Sequence, residues 1–477
     1  MKKEYFLTIT ILVICIVIAL FSVLVDNSAS EEEAAYEKAM ENASDYMERG
    51  LYQLAAEEYE AAMDIKDSEE VRGLQFAAYE KAVQENDRLL ADYIEAAVDA
   101  VNNYPTNVEF SLKLADLYNR NQSYKDAYDC LSDIIEQGVE NDTLIQKRKE
   151  IQYSFDIDWS NYVEIQPCCN GLYPVCEDTD WQYVSITGDT DSDKHYLYAS
   201  RVDPEGIRFV FDGDQAYLVD SEGVKRGIFG IVPESASILS EGKIAIRADG
   251  SYGYYAQLGD YLFGKYLRAG VFQNGKAAVQ TAETEWQLID ETGKPEATYE
   301  EIKLDLSDAY LVGDAYLAKK NGKFMIYHSD GQPVDGFACE DVDILTKDGL
   351  IAFCNDGKWG YVNTEGKVMI SPTFEKARSF MNGLGAVCKD GKWGFLDLQG
   401  DIVIDYQFVD VDYFNEEGSC FVWIPKIQET ESEENDEDNG TNDDIFQTET
   451  VSESEETPSD KETRQSGWWQ MLTLHVK

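Results

Sequence analysis

An aromatic residue followed seven positions later by a glycine recurs along this 477-residue chain and largely determines its architecture. A seventh unit has Ala216 in place of the aromatic before Gly223. The aromatic anchors and their glycines are Trp181/Gly188, Tyr252/Gly259, Trp286/Gly293, Phe324/Gly331, Trp359/Gly366 and Trp393/Gly400. Successive anchors lie 34 to 38 residues apart. A fixed period of this size indicates a repeat protein.

The residues around each anchor predict a small antiparallel meander. Asn321-Gly322, Asp356-Gly357 and Asp390-Gly391 precede three anchors, and such dipeptides favour the two-residue turn of a β-hairpin. The glycine seven residues after the anchor closes the next turn, where a positive φ angle costs it little. Because one meander cannot bury both of its faces, several must stack or close into a ring.

The last unit is interrupted between two strands. A strand begins near Gly418 and runs through Trp423, but its hairpin partner does not follow at once. A tract with fifteen acidic residues against two basic ones, 429–464, intervenes before a second strand around Trp469. We therefore predict that Trp469 is an eighth anchor, that residues 465–477 form the closing strand, and that 429–464 is a disordered acidic insertion.

The other end of the repeat region suggests how the ring closes. Residues 162–165 (Tyr-Val-Glu-Ile) are interpreted as the final strand of a unit, which pairs the two ends of the chain and removes exposed sheet edges. The count predicts an eight-bladed β-propeller with three-stranded blades over residues 161–428. An open β-solenoid or a ring with a different blade count remains the alternative, because 35 residues is short for a four-stranded blade.

Two units carry a literal Trp-Gly pair after a turn, at Trp359-Gly360 and Trp393-Gly394, and Tyr252-Gly253 is a near match. These units resemble the WG-repeat family, also called KWG repeats. The resemblance covers roughly residues 161–427 and the C-terminal strand. It implies a repeat scaffold found in many bacterial proteins, with no defined activity and no catalytic residues to transfer.

Residues 5–25 form an uninterrupted apolar stretch long enough to span a bilayer as one helix. Lys2 and Lys3 precede it and acidic residues follow, which predicts a cytoplasmic N-terminus at 1–4 and the remaining chain outside, after a linker at 26–33. The predicted location is the cell membrane, with a single pass. Secretion after cleavage of a signal peptide near Ser28 is the alternative.

Residues 34–153 are rich in Ala, Glu, Leu and Tyr at helical spacing. The small and aromatic residues of the first part recur 72 residues later, at Ala115, Tyr118 and Ala127 after Ala43, Tyr46 and Ala55. This segment resembles a tetratricopeptide (TPR) array of about three units with an irregular central one, followed by a linker at 154–160. A plain array of helical hairpins is the alternative; either is an α-solenoid.

The formal net charge of −52 argues against nucleic acid as a partner, since binding a polyanion requires a basic surface. Asp189, Asp191 and Asp193 could converge on a cation, but no distal acidic ligand accompanies them, and an ordinary acidic turn is favoured. The three histidines, His195, His328 and His475, occupy dissimilar positions in the repeat.

The nine cysteines include no CxxC pair. Cys176, Cys354 and Cys388 each precede an anchor by five residues, which predicts buried packing, and a redox role for the vicinal pair Cys168-Cys169 stays open. We predict no catalytic, cofactor-binding or metal-binding residues, and no cofactor.

The sequence thus predicts a multidomain α + β protein that is not an enzyme. Its expected function is a membrane-anchored extracytoplasmic scaffold that binds an unidentified protein or envelope component through both repeat modules, with the bilayer contacted through residues 5–25. One alternative is a propeller-based hydrolase or lyase acting on envelope glycans. The other is a scaffold of the same kind that faces the cytoplasm.

Overall fold

The computed structural model describes residues 30–426 and 466–476, and the chain divides after Ser154 into a helical unit and a β unit. The predicted membrane span 5–25 and the acidic insertion 429–464 lie outside the described residues. Among the helices of the described ranges, none combines the length and the apolar character needed to cross a bilayer.

Seven α-helices lie in the described part of the helical unit, residues 30–154. They are α1 (30–48), α2 (Tyr52–Ile65), α3 (Glu69–Glu85), α4 (Leu90–Asn103), α5 (Val108–Arg120), α6 (Tyr124–Glu136) and α7 (Asp142–Gln152). Residues 30–33, which belong to the segment predicted as a linker, are helical. Ser68, Asn107 and Asn141 accept hydrogen bonds from backbone N–H groups of the first turn that follows, which defines where α3, α5 and α7 begin.

The core of the helical unit is built from alanines and aromatic rings. Ala43, Ala55 and Ala62 are fully buried, which lets neighbouring helices approach closely. Tyr79 stacks on Tyr93 at 5.3 Å between ring centroids and fills the space that the alanines leave. The small and aromatic positions read from the sequence are therefore core positions.

The β unit consists of eight sheets that form an eight-bladed propeller. The strands of the first four blades, in chain order, are β2 (Glu164–Ile165), β3 (Leu172–Glu177), β4 (Asp180–Ser185); β5 (Tyr198–Val202), β6 (Arg208–Phe211), β7 (Ala216–Val219), β8 (Lys225–Phe229); β9 (Ser235–Ala236), β10 (Lys243–Ala248), β11 (Ser251–Ala256), β12 (Tyr261–Tyr266); β13 (Arg268–Ala269), β14 (Lys276–Ala282), β15 (Glu285–Asp290), β16 (Pro295–Tyr299). Those of the last four are β17 (Glu301–Ile302), β18 (Ala315–Lys320), β19 (Lys323–His328); β20 (Asp341–Val342), β21 (Leu350–Asn355), β22 (Lys358–Asn363), β23 (Val368–Phe374); β24 (Lys376–Ala377), β25 (Leu384–Lys389), β26 (Lys392–Asp397), β27 (Ile402–Phe408); β28 (Asp410–Val411), β29 (Ser419–Pro425), β30 (Gly467–Leu474) and, from the start of the unit, β1 (Phe155–Ile157).

Most blades have four strands, so the prediction of three-stranded blades was wrong. The innermost strand of seven blades has only two residues, which is how a repeat of about 35 residues accommodates a fourth strand. In the first and fifth blades, isolated bridges such as Trp181 with Tyr196 and Phe324 with Cys339 replace the outermost strand.

The ring closes through β1, which pairs with β30 as the outermost strand of blade 8. The pairing of chain ends is confirmed and excludes an open solenoid, but the strand had been misassigned. Residues 164–165 form the innermost strand of blade 1 rather than the last strand of a unit, and the predicted linker 154–160 contains β1. The Tyr173 ring of blade 1 meets Phe421 of blade 8 at 4.8 Å between centroids.

Trp469 is confirmed as the eighth anchor. It pairs with Trp423 across the β29–β30 hairpin, as Trp393 pairs with Cys388 in the preceding blade. Residues 427–465 therefore connect two paired strands of one hairpin.

The spacing of anchor and glycine follows from the geometry of one turn. All seven glycines have positive φ, from 78° to 104°, as the turn after the third strand requires. The side chain four residues after the anchor shapes this turn in several blades: Asp290 Oδ1 accepts the N–H groups of Thr292 at 2.9 Å and Lys294 at 3.0 Å. The predicted hairpin turns are also confirmed, since Asn321-Gly322 has φ angles of 55° and 76°.

The Trp-Gly pair has a steric cause. A Cβ atom added to Gly394 would lie 2.5 Å from the carbonyl oxygen of Ile404, and one added to Gly360 would lie 2.5 Å from that of Ile370. In both blades the register of the outermost strand shifts beside this glycine. The glycine therefore lets an irregular outer strand cross directly over the third strand.

Candidate functional site

The anchors belong to the propeller core. Trp181, Trp286, Trp393 and Trp469 are buried, and Trp359 is half-buried. These rings cannot form an exposed platform for sugar stacking.

A second aromatic position, two residues after the anchor, links neighbouring blades. The hydroxyl groups of Tyr183, Tyr254 and Tyr361 each donate to a backbone carbonyl of the next blade. The acceptors are Ser200 at 2.7 Å, Gly270 at 2.8 Å and Ala386 at 2.9 Å. The offset from the anchor was present in the sequence and was missed.

The channel of the propeller contains a loop of its own chain. Twelve residues, 303–314, connect β17 to β18, whereas this connection has five to seven residues in the other blades. Arg201 of blade 2 forms an ion pair with Asp308 in this loop and donates to the carbonyl of Leu306 at 2.9 Å. Because blades 2 and 5 are three apart in the ring, this contact crosses the centre.

The cysteines have the character of packed, unreactive thiols. The eight cysteines of the described residues are all free. Burial raises the pKa of Cys176 to about 12 and that of Cys168 to about 12, and it raises the pKa of Cys169, Cys354 and Cys388 as well. These thiols are protonated at neutral pH and are poor nucleophiles.

The acidic turn does not converge on a cation. Asp191 forms an ion pair at 2.7 Å with Arg208, whose guanidinium also lies over the Tyr183 ring. Asp189 instead accepts from the Thr187 hydroxyl at 2.8 Å. No group of three His, Cys, Asp or Glu side chains within residues 30–426 and 466–476 is arranged to hold a metal ion.

The helical unit carries a surface that the sequence reasoning missed. Each of α2, α4 and α6 has three carboxylates at positions i, i+3 and i+7, which places them on one helix face. The nine residues, which we call the acidic ridge, are Glu57, Glu60, Asp64, Asp92, Glu95, Asp99, Asp126, Asp129 and Asp133. Each carboxylate recurs at intervals of 35 and 34 residues, and this period was the available signal.

The carboxylates of neighbouring helices act on the same groups. Desolvation and the nearby carboxylates of Asp64, Glu95, Asp99 and Glu57 together raise the pKa of Glu60. Two of these belong to α2 and two to α4, so the two triplets form one surface of concentrated negative charge.

The pKa of the buried Tyr79 is also affected by the carboxylates of the ridge. Burial raises the pKa of its hydroxyl to about 12, and the carboxylates of Glu60 and Asp92 contribute. Of the nine ridge carboxylates, two form ion pairs among the described residues: Asp99 with Arg72 at 2.9 Å and Asp129 with Lys125 at 2.8 Å. Most of the negative charge of the ridge is therefore not neutralised by the helical unit itself.

A groove of about 370 Å³ lies between α4, α5 and α6 beside the third triplet. Asp126, Asp129 and Asp133 line one side of it, and Val98 and Val101 of α4 line the other. Leu114 and Ile134, both buried, contribute apolar surface. The groove thus combines an apolar wall with a row of carboxylates.

Two further polar groups, the buried Ser111 and the half-buried Cys130, complete the groove lining. Ser111 is fully buried, and its Oγ atom has no hydrogen-bond partner among the described residues. Burial raises the pKa of Cys130 to about 12, with a smaller contribution from Asp133, and its Sγ lies 3.8 Å from the Ser111 carbonyl oxygen. A protonated thiol and carboxylates without a second catalytic group offer binding contacts rather than a nucleophile.

No curated protein matches the sequence. Among solved structures, the chain is similar to BamB from Moraxella catarrhalis, with 10% sequence identity and a TM-score of 0.41, over 56% of this chain and 96% of that one. It is also similar to a eukaryotic initiation factor, with 11% identity and a TM-score of 0.37, over 51% and 76% of the two chains. Residues 359–393 and 393–424, in blades 6 to 8, match the family model for the WG containing repeat.

Proposed function

We propose that this chain is a membrane-tethered binding scaffold outside the cytoplasm, whose helical unit holds a basic, partly apolar segment of a protein partner. The observation that carries the proposal is the threefold repetition of one carboxylate triplet on α2, α4 and α6. A solvated helix face needs no fixed charge pattern, whereas a surface that binds an extended cationic segment needs charge at regular steps.

The dimensions of the ridge fit such a segment. Each triplet extends about 10 Å along its helix, because seven residues rise about 1.5 Å each. The groove beside the third triplet adds apolar contact next to the carboxylates. Charge complementarity would accelerate association and select basic partners, and burial in the groove would provide most of the lasting affinity.

A tether and an extracytoplasmic position are supported by the sequence. Residues 5–25 are long and apolar enough for a span, and the lysines precede it. A binding role rather than catalysis is supported by the protonated state of the buried cysteines and by the burial of the anchor rings.

Peptide binding to the purified full chain tests the ridge. The probe is a fluorescent peptide of about 20 residues with lysine and leucine at helical periodicity. We expect binding that weakens as NaCl rises from about 50 to about 300 mM, because screening reduces attraction between exposed charges. Changing Asp126, Asp129 and Asp133 together to Asn should weaken binding about tenfold.

The matched control removes three carboxylates elsewhere. Changing Glu31, Glu32 and Glu33 to Gln on α1 gives the same net charge and should leave the affinity within about twofold of the original. A peptide with glutamate in place of lysine should not bind. Equal loss in the two triple variants, or equal binding of both peptides, would contradict a specific ridge.

Protease shaving tests the location separately. Intact cells that express the full chain are treated with protease, and antibodies to the helical unit and to the propeller follow each part. Degradation of both parts without lysis supports the extracytoplasmic position. Protection of both until lysis would contradict it and would favour a scaffold that faces the cytoplasm.

A further inference from the structure

The second and third strands of every blade are joined on the same face of the propeller, because all blades repeat one strand order and direction. We call the residues that join them in blades 1 to 7 the hairpin tips: 177–180, 212–215, 248–251, 282–285, 320–323, 355–358 and 389–392. In blade 8 the corresponding strands, β29 and β30, are joined in sequence by residues 427–465, which lie outside the described residues.

The charge of the hairpin tips changes sign around the ring. The tips of blades 1 to 4 contain eight acidic residues and no lysine or arginine. Those of blades 5 to 7 contain five lysines and two aspartates. The five, which we call the lysine arc, are Lys320, Lys323, Lys358, Lys389 and Lys392. In a chain with a net charge of −52, the three consecutive tips together have more lysines than aspartates, in contrast to the tips of blades 1 to 4.

The arc is presented on a fixed backbone. Each of the three turns has two residues with positive φ, as at Asp356 (51°) and Gly357 (70°), which is a tight hairpin geometry. A glutamate before the innermost strand accepts a turn N–H in each blade: Glu300 from Gly322 at 2.9 Å, Glu340 from Asp356 at 3.0 Å and Glu375 from Gly391 at 3.3 Å.

Most of the lysines are available to a partner. All five are exposed. Lys323 reaches Glu340 of the next blade at 3.5 Å, which links the tips of blades 5 and 6. Lys358, Lys389 and Lys392 form no ion pair within the part of the chain that the structure describes. Among the described residues these three lysines have no ion-pair partner, although carboxylates lie close by in the same turns, and together they form a surface that can bind a negatively charged ligand.

We propose that the lysine arc is a second interaction surface, which binds an acidic segment of a partner protein. A long polyanion such as nucleic acid would meet the acidic tips of blades 1 to 4 and the negative field of the whole chain. A short segment rich in Asp and Glu can lie over three blades, and the acidic tip of blade 4, next to blade 5, limits its extent on one side. The lysine arc belongs to the propeller and the acidic ridge to the helical unit. The arc would bind acidic segments, whereas the ridge would bind basic ones.

A fluorescent peptide of about 12 residues, composed of Asp, Glu and Ser, is the probe for the full chain. We expect binding that is lost at high salt and that weakens about tenfold when Lys389 and Lys392 are both changed to Glu. The control changes Lys265 and Lys294 to Glu, two exposed lysines outside the tips, with the same change in net charge. Its affinity should stay within about twofold of the original. A peptide with Asn and Gln in place of the acids should not bind.

The acidic tract of the chain itself is an alternative ligand for the lysine arc. Deleting this tract distinguishes binding of the tract from binding of a partner protein. Residues 427–465 are replaced by Asn-Gly, which suits a two-residue hairpin turn. Binding by the full chain that is lost in the Lys389/Lys392 variant supports a partner protein. Binding only after the deletion would assign the arc to the chain's own tract and overturn the proposal. Absence of binding in both proteins, or equal loss in the two lysine variants, would also overturn it.

Discussion

The helical unit and the propeller are both built from sequence repeats. The features that recur from one repeat to the next differ between them: surface charge in the helices and interior residues in the propeller. In the helices the surface charge recurs at intervals of 35 and 34 residues, and a core position at those same intervals changes: Ala55 in α2 becomes Leu90 in α4 and Tyr124 in α6. In the propeller the interior recurs, with anchor, tyrosine and turn glycine at fixed offsets, while the hairpin tips reverse their charge half-way around the ring. Surface charges that recur in every repeat suit a partner that extends along the helical array. Surface charges that change sign between blades distinguish one side of the propeller ring from the other.

The largest effect should come from breaking the recurring interior at Gly394. Gly394→Ala places a Cβ atom 2.5 Å from a backbone oxygen and 2.9 Å from the backbone carbon of Asp405, so the outer strand must move. We expect a loss of about 2–3 kcal/mol in the free energy of unfolding of the propeller. Tryptophan fluorescence during urea unfolding measures it, because all eight tryptophans follow residue 158 and therefore report the propeller alone.

Gly230→Ala is the matched control. Gly230 lies between blades 2 and 3, does not have positive φ, and has no atom within 4 Å of an added Cβ. Its stability should stay within about 0.5 kcal/mol of the original. Equal effects of the two substitutions would mean that the Trp-Gly pair has no special packing role.

A smaller effect is expected from the inter-blade hydrogen bond of Tyr361. Tyr361→Phe keeps the ring against Phe380, at 4.8 Å between centroids, and removes the donor to the Ala386 carbonyl. The Ala386 carbonyl still accepts a hydrogen bond from the Arg378 N–H at 2.9 Å, so it is not left without a partner. The free energy of unfolding should therefore fall by about 1 kcal/mol, which is less than the cost of a buried carbonyl with no hydrogen bond. Tryptophan fluorescence again measures it.

Tyr261→Phe is the comparison for Tyr361. Its hydroxyl is exposed and donates to Gly264 in the same strand at 2.7 Å. Removing it should cost less than about 0.5 kcal/mol, since water can replace the bond. If both tyrosines gave the same loss, the link between blades 6 and 7 would not contribute beyond its ring.

The contrast also explains which parts of the fold the sequence could predict. Anchors, turn dipeptides and the displaced Trp469 were accessible because turns need particular residues at fixed offsets. The fourth strand was not, because innermost strands such as Glu301–Ile302 have two residues and show no alternation. The closing strand β1 has three residues and lies far in sequence from its partner β30, so nothing local identifies it.

The candidate sites were hidden for a different reason. In a chain with 92 acidic residues no single carboxylate is informative, and the ridge becomes visible only when α2, α4 and α6 are aligned and Glu60 is seen beside carboxylates from two helices. The lysine arc depends on knowing that separate hairpins share one face. The three tips come from separate repeats, and the packing of successive blades brings them next to one another, where Lys323 of blade 5 reaches Glu340 of blade 6.

The smallest predicted effect tests whether the ridge is electrostatically strained. Glu60→Gln should stabilise the helical unit at pH 7 by about 0.5 kcal/mol, because it removes a carboxylate that is partly desolvated and repelled by neighbouring carboxylates. Since the pKa of Glu60 is raised above 4.5 in the folded state, the folded protein binds more protons than the unfolded chain in this range, and the original loses stability as pH rises through that raised pKa. The advantage of the variant should therefore be greatest at neutral pH and vanish below about pH 4.

Circular dichroism at the helical band of 222 nm follows this difference during urea unfolding, since the described helices lie in the helical unit. Glu41→Gln on α1 is the control: it also removes one exposed carboxylate but lies outside the ridge. A pH-dependent gain for Glu60→Gln alone would mean that the position of Glu60 in the ridge destabilises its charged form, through desolvation and through the neighbouring carboxylates. An equal gain for both variants would attribute it to net charge, and the ridge would then be an ordinary solvated face. The charge that a basic partner is proposed to neutralise is thus the same charge that should cost the free helical unit stability.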